Sequence, residues 1–134
     1  MSRTPGTYDM VLTRGTTWEE TFVYKADGVP VDLTGYSARM QVRTEDGQYG
    51  VSAAETLLLE LSTEGANPLM YWGDIAAGDL RIKANPASHT ALNPDNLKVV
   101  RYVYGIELYK TDNGEEYVIP FLSGRLTVYG EILR

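Results

Sequence analysis

At 134 residues, 43% of them hydrophobic, the chain fits one domain with one core, residues 1–134, and leaves little room for a second. It holds no cysteine, which excludes disulfides and thiolate metal sites. Twelve Lys and Arg against eighteen Asp and Glu leave a net charge of −6, so an acidic surface repels phosphate backbones and anionic bilayers, and neither nucleic-acid binding nor membrane insertion is expected.

Residues 1–7 read as an N-terminal tail without the apolar run of a signal peptide. From there period-two alternation dominates, the mark of half-buried strands. Over 17–24 it sets Trp18, Phe22 and Tyr24 on one face, with Glu20 interrupting that face and therefore expected near a rim. Asp27-Gly28 is a hairpin signal, and Asp32-Leu33-Thr34-Gly35 is a turn whose carboxylate can bond amides two residues on. Over 37–43, Ala38, Met40 and Val42 alternate with Ser37, Arg39, Gln41 and Arg43; Leu57, Leu59 and Leu61 follow, alternating with Leu58, Glu60 and Ser62. Residues 79–84 turn Leu80, Ile82 and Ala84 inward. Asn85-Pro86 opens the one helical turn, with Asn85 as cap and Pro94 limiting its length. The run 99–109 puts Val100, Tyr102, Tyr104, Ile106 and Leu108 on one side and is half apolar on the other, as a central strand would be. Asp112-Asn113-Gly114 marks a hairpin, then strands follow over 116–122 and 125–133, with Leu126, Val128 and Ile132 on one face. Pro120 requires an edge or a bulge. The stretches 44–55 and 63–78 carry no pattern. About seven or eight short strands without a βαβ rhythm predict an all-β sandwich, with a small β-barrel as the alternative.

Chemistry is sparse. His89, the only histidine, lacks identifiable partners for a triad or metal site and reads as a surface or cap residue. Glu19-Glu20 and Glu115-Glu116 are strand neighbours that point to opposite faces, which works against a shared proton. Glu107 reads as an outward carboxylate paired across strands with Arg101, Arg39 or Arg43. The Asp112–Glu116 run is too short for a calcium loop. No catalytic residue, cofactor site or metal site is expected, and the chain is not expected to be an enzyme. What remains is surface. Ten Tyr against two Phe suit faces that are wet alone and buried when assembled. Segment 63–78, a long aromatic loop with Met70, Tyr71 and Trp72, either folds back onto the core or docks on a partner. With the strand-face residues Tyr109 and Tyr129, these three form the candidate partner interface.

The run Arg14-Gly15-Thr16-Thr17-Trp18, then Asp27-Gly28-Val29-Pro30-Val31-Asp32-Leu33-Thr34-Gly35-Tyr36 and Ala38-Arg39-Met40-Gln41-Val42-Arg43, resembles small tailed-bacteriophage and prophage virion proteins. Among these is the N-terminal immunoglobulin-like domain of siphophage baseplate upper proteins. Weaker matches follow at Gly78–Ile82, Thr90–Leu92, Tyr104–Leu108 and Gly124–Val128, with Gly105 standing where the family often has Asp. The long 63–78 segment and the lack of a C-terminal extension depart from the pattern. The resemblance implies an immunoglobulin-like sandwich that is a structural protein of the tail, baseplate or head–tail region. It implies other virion proteins as partners, homo-oligomers in a symmetric particle, and residence in the virion after synthesis in the host bacterial cytoplasm. A capsid decoration protein and a host-surface glycan module of the adsorption apparatus are the alternatives.

Overall fold

The structure, a computed structural model, describes residues 6–44, 57–66 and 68–132. Its strands are β1 (Gly6–Thr7), β2 (Met10–Thr13), β3 (Trp18–Val23), β4 (Lys25–Ala26), β5 (Val29–Pro30), β6 (Ser37–Thr44), β7 (Leu57–Ser62), β8 (Met70–Asp74), β9 (Asp79–Ala84), β10 (Val99–Asp112) and β11 (Glu115–Tyr129). A 3₁₀ turn occupies Ile75–Ala77 and a 3₁₀ helix Pro86–Leu92. Six strands form the larger sheet, in the order β1-β11-β10-β6-β7 with β2 also on β11; β3-β9-β8 form the smaller one, and β4-β5 a separate small hairpin. No strand pair joins the two larger sheets among the described residues, so the molecule is a sandwich and not a closed barrel.

Alternation explains the layering. From the larger sheet Met40, Val42, Tyr104, Ile106, Leu108, Leu126 and Val128 are buried; from the smaller one, Trp18, Phe22, Met70, Leu80 and Ile82 meet them in one core. The strand order assigns the fold. In the lettering of immunoglobulin domains, β3-β9-β8 is the B-E-D sheet and β11-β10-β6-β7 is G-F-C with the C′ strand of the variable type. The chain is therefore an all-β, immunoglobulin-like sandwich. It also carries the tyrosine corner of such domains: near the start of β10 the buried Tyr102 hydroxyl donates to the Leu92 carbonyl across the β9–β10 connection. Two residues on, where antibody domains place a cysteine, stands Tyr104, whose hydroxyl donates to the Tyr8 carbonyl. Phe121 meets Phe22 and Tyr24 edge-on at 6.3 and 5.3 Å, so aromatic packing occupies the space between the sheets. Tyr102→Phe is expected to cost about 1–3 kcal/mol, because a buried carbonyl loses its donor. Guanidinium titration should show a lower midpoint at unchanged slope; an unchanged midpoint would refute the bond's importance.

Several expected features stand. Asn85 Oδ1 accepts from the Ser88 amide at 2.9 Å, capping the 3₁₀ helix. Asp32 Oδ1 accepts from the Thr34 amide at 2.9 Å and its hydroxyl at 2.6 Å. Asp27-Gly28 and Asn113-Gly114 take φ of 52° and 79°, and of 52° and 81°, the left-handed pairs a two-residue hairpin turn requires. Pro120 sits at a bulge: the β10 register jumps between Ile106, opposite Leu122, and Glu107, opposite Pro120.

Other expectations need correction. The segments 116–122 and 125–133 join into the single strand β11, because the bulge absorbs Pro120 without ending the strand. Ile132 lies beyond that strand and is 93% exposed. A second bulge, opposite Val42 and Arg43, turns Leu57 outward while Leu59 and Leu61 stay against the core. Residues 6 and 7 of the expected tail pair with β11, and β2 went unforeseen. Segment 63–78 is no long loop, since Met70–Asp74 is an edge strand of the smaller sheet. The patternless stretch 45–55 lies outside the described residues.

Candidate interaction surfaces

The five residues expected to form one interface are dispersed. On β8 the pairing Met70↔Ile82 and Trp72↔Leu80 points both side chains inward; Met70 is fully buried and cannot serve as a docking residue, and Trp72 packs half-buried on the core. Tyr71, between them, faces outward opposite Arg81 and is 39% exposed. Arg81 bonds Asp79 at 2.8 Å, which holds the Asp79 carboxyl below its ordinary value. Tyr109 and Tyr129 lie on the outer face of the larger sheet, toward its opposite ends. Tyr109 is half-buried beneath the Arg39 guanidinium, 4.4 Å from its ring centroid; Tyr129 is 45% exposed.

Arg39 organises the upper part of this outer face. It pairs with Glu107 directly across the β6–β10 ladder and reaches Glu116 at 2.8 Å. Both carboxylates push its own pKa further up. Glu107 is thus the outward, arginine-paired residue the alternation indicates. Beside it Gln41 donates to Glu60 at 2.7 Å and accepts from Arg43 at 2.9 Å. Between these side chains and Pro120, Gly105 leaves the sheet without a side chain, opening a shallow trough of about 540 Å³. A substituent on Gly105 would meet nothing within 4 Å. Beyond Tyr109, Lys110 stands over Tyr36 at 4.8 Å and Tyr117 at 5.7 Å, and Tyr117 and Val118 are exposed. The alternation did not draw attention to these two, although the Asn113-Gly114 turn sets them near the tip of a hairpin.

At the other end of the same face the rows are different. Arg43, Val103 and Arg125 lie side by side on β6, β10 and β11, with Arg101 one pair further along β10. Val11, opposite Thr127 on β11, and Tyr129 add exposed apolar surface.

His89 is not a surface residue. It is 1% exposed, its ring stands edge-on to Trp18 at 6.3 Å, and its Nε2 lies 2.7 Å from the Thr16 carbonyl. A carbonyl only accepts, so Nε2 carries the proton and the histidine ties the β2–β3 turn to the 3₁₀ helix. The role is one of packing. Among the described residues no group of three or more His, Asp or Glu is placed to hold a metal ion.

Glu20 points inward at the rim and accepts from the Tyr8 hydroxyl at 3.4 Å. Burial raises its carboxyl above the ordinary carboxylate range, while Tyr8 and the Trp18 indole pull the other way. With the folded value above the unfolded one, the ionised form is penalised in the fold. Stability therefore increases as pH falls through the folded value. Glu20→Gln, neutral throughout, is expected to be more stable than the wild type at pH 7, and the gap should close below the unfolded carboxylate value. Melting midpoints of both proteins across pH 3–7 read this directly. A wild type at least as stable at pH 7 would refute it.

No protein-family model matches the sequence, and no curated protein matches it. Solved structures with which the chain aligns include extracellular domains of the voltage-gated sodium channel beta4 subunit, whose parallel homodimers explain its role in cell–cell adhesion. The alignment has 6% identity and a TM-score of 0.36 over 98% of each chain. A second is a structure behind photo-crosslinking analyses of the multimeric cell-adhesive interactions of such β subunits. It has the same identity and TM-score, over 98% of this chain and 99% of that one. Strand order and the tyrosine corner carry the immunoglobulin-like assignment.

Proposed function

We propose that this chain is a non-catalytic structural protein of a tailed-bacteriophage particle, working in the tail, baseplate or head–tail region through protein–protein contacts in a symmetric assembly. The resemblance of the 14–43 motif series to phage virion proteins is what supports the phage assignment. One observation carries the mode of action: on the outer face of the larger sheet Glu107 and Glu116 are matched by Arg39, while exposed Val118 lies toward the hairpin tip and exposed Val11, Arg101, Arg125 and Tyr129 lie toward the opposite end. Such a face offers contacts and no converging acid–base pair. The partners are other virion proteins and copies of this chain, met in the virion after synthesis in the host cytoplasm. A capsid-surface position uses the same contacts. The glycan alternative is less well supported, because Trp72, the residue best suited to stack on a sugar, faces the core.

The test is positional. Mass spectrometry of purified particles should find the chain at a stoichiometry set by particle symmetry, and a reconstruction should show the sandwich with its larger sheet covered by a neighbour. Absence from particles, or saturable sugar binding by the isolated chain, would overturn the reading.

A further inference from the structure

Of the asparagines in this chain, all but one are chemically blocked. Asn67, Asn85 and Asn93 each precede a proline, whose nitrogen carries no hydrogen and cannot attack the side-chain amide before it. Asn96 is engaged at both ends. Its Oδ1 accepts from the Glu131 amide at 2.7 Å and its Nδ2 donates to the Glu131 carbonyl at 3.3 Å, while the next amide, that of Leu97, donates to Asn93 Oδ1 at 2.8 Å. Asn113 differs on each count. It is exposed at the tip of the β10–β11 hairpin, and its side-chain amide bonds to no described residue. Gly114 follows, with φ of 81°, and a substituent there would meet nothing within 4 Å, so no side chain shields the peptide nitrogen. The last ladder pair is Asp112↔Glu115, which leaves the Gly114 amide outside the ladder.

We propose that Asn113-Gly114 is a self-modification site, at which the folded protein converts its own hairpin tip from amide to acid. The Gly114 nitrogen attacks Asn113 Cγ. The N–Cγ bond forms, the Cγ–Nδ2 bond breaks, and ammonia leaves with the proton that the Gly114 nitrogen gives up. Water then opens the five-membered imide at either of its two carbonyls. One opening gives aspartate in an unchanged main chain. The other gives isoaspartate, whose main chain runs through the former side chain and is one carbon longer. Nucleophile and target sit on adjacent residues, so the step is intramolecular and needs no encounter. Attack requires the Asn113 side chain to swing over the following peptide, and the tip has room for it. Pairing of β6 with β10 stops at Ser37↔Tyr109, and β1 pairs with β11 only at Leu122 and Ser123, so no described strand flanks the turn. Asp27-Gly28 takes similar φ angles of 52° and 79°, but an ionised carboxylate offers no comparable leaving group, so the amide reacts first.

Both products change the tip. Asp112 and Glu115 already face each other across it, with Glu116 next to them opposite Thr111, so an aspartate at 113 adds a further like charge at close quarters. Isoaspartate also removes the left-handed pair of φ angles on which the two-residue turn depends. The end of the sandwich that bears exposed Tyr117 and Val118 is thereby altered with time and without a partner.

The folded, full-length wild type, held at mildly alkaline pH, tests this. Peptide mapping reads the mass difference between amide and acid, and an isoaspartate-specific methyltransferase reads the longer linkage. Loss of the amide at Asn113 is expected at least about tenfold faster than at any other asparagine, because only there can the following nitrogen reach its target. The rate should rise with pH, and the product should elute as a more acidic form on ion exchange. Asn113→Gln, which has to close a larger ring, should convert at least about tenfold more slowly at this position. A circular dichroism melt checks that this variant is folded, and a wild-type sample unfolded in guanidinium sets the time needed. An Asn113 amide that outlasts that time in the folded chain overturns the proposal, as does earlier loss at another asparagine.

Discussion

Trp18→Ala is expected to lower the unfolding free energy by about 3–5 kcal/mol, the range for emptying a large aromatic site in a packed interior. Trp18 is 2% exposed at the start of β3, opposite Ala84, and stands against the His89 ring. Its removal leaves a cavity and strips the packing that holds His89 on the Thr16 carbonyl. Two connections, the β2–β3 turn and the 3₁₀ helix, loosen together. For a domain of this size the melting temperature should fall by roughly 10–20 °C. Trp18→Phe, which fills part of the space, should lose much less. Equal losses for the two variants would mean that volume at this site is not what matters.

Met70→Ala and Tyr71→Ala should differ sharply although the residues are neighbours. Met70 is fully buried against Ile82, so truncation should cost about 2–5 kcal/mol. Tyr71 lies on the outer face of the smaller sheet, and its truncation should stay within about 0.5 kcal/mol. Chemical denaturation of the two variants against the wild type measures the difference. Comparable effects would mean that β8 does not place alternate side chains on opposite faces as described. A loss of particle assembly on Tyr71→Ala, with stability unchanged, would assign the smaller sheet a contact of its own.

The contrast shows what could be read from the residues. Strands β6 and β9 were legible because their apolar and polar residues alternate cleanly, and β3 and β10 because one face of each is marked by large apolar residues, despite Glu20 in the first and a half-apolar reverse in the second. β8 was not, because Met70, Tyr71 and Trp72 are all apolar or aromatic and conceal the alternation. Pro120 foretold its bulge, but not that the strand continues through it. Leu57 fits its alternation and still faces outward, since a bulge at Leu58, within β7 itself, shifts the count. The burial of His89 depends on a carbonyl 73 positions earlier in the chain, a separation no local pattern spans. The outward residues were individually legible, Arg39, Gln41 and Arg43 among them. Their grouping was not: which arginine lies beside which, and which acids face each other, is decided by register between strands far apart in the sequence.

The parallel pairing of β2 with β11 has a consequence for how the molecule is made. Met10 lies beside Leu126, and Leu12 beside Val128, so β2 finds its neighbour only after every strand from β3 to β10 has been made. Until then its backbone amides and carbonyls remain unpaired, and the half-built sheet shows an open margin to other nascent chains. Such distant pairing also favours slow folding, of the kind that takes milliseconds to seconds rather than microseconds. Helper proteins that bind unfolded chains should therefore act on this one chiefly through the β2 segment, until β11 is available to pair with it.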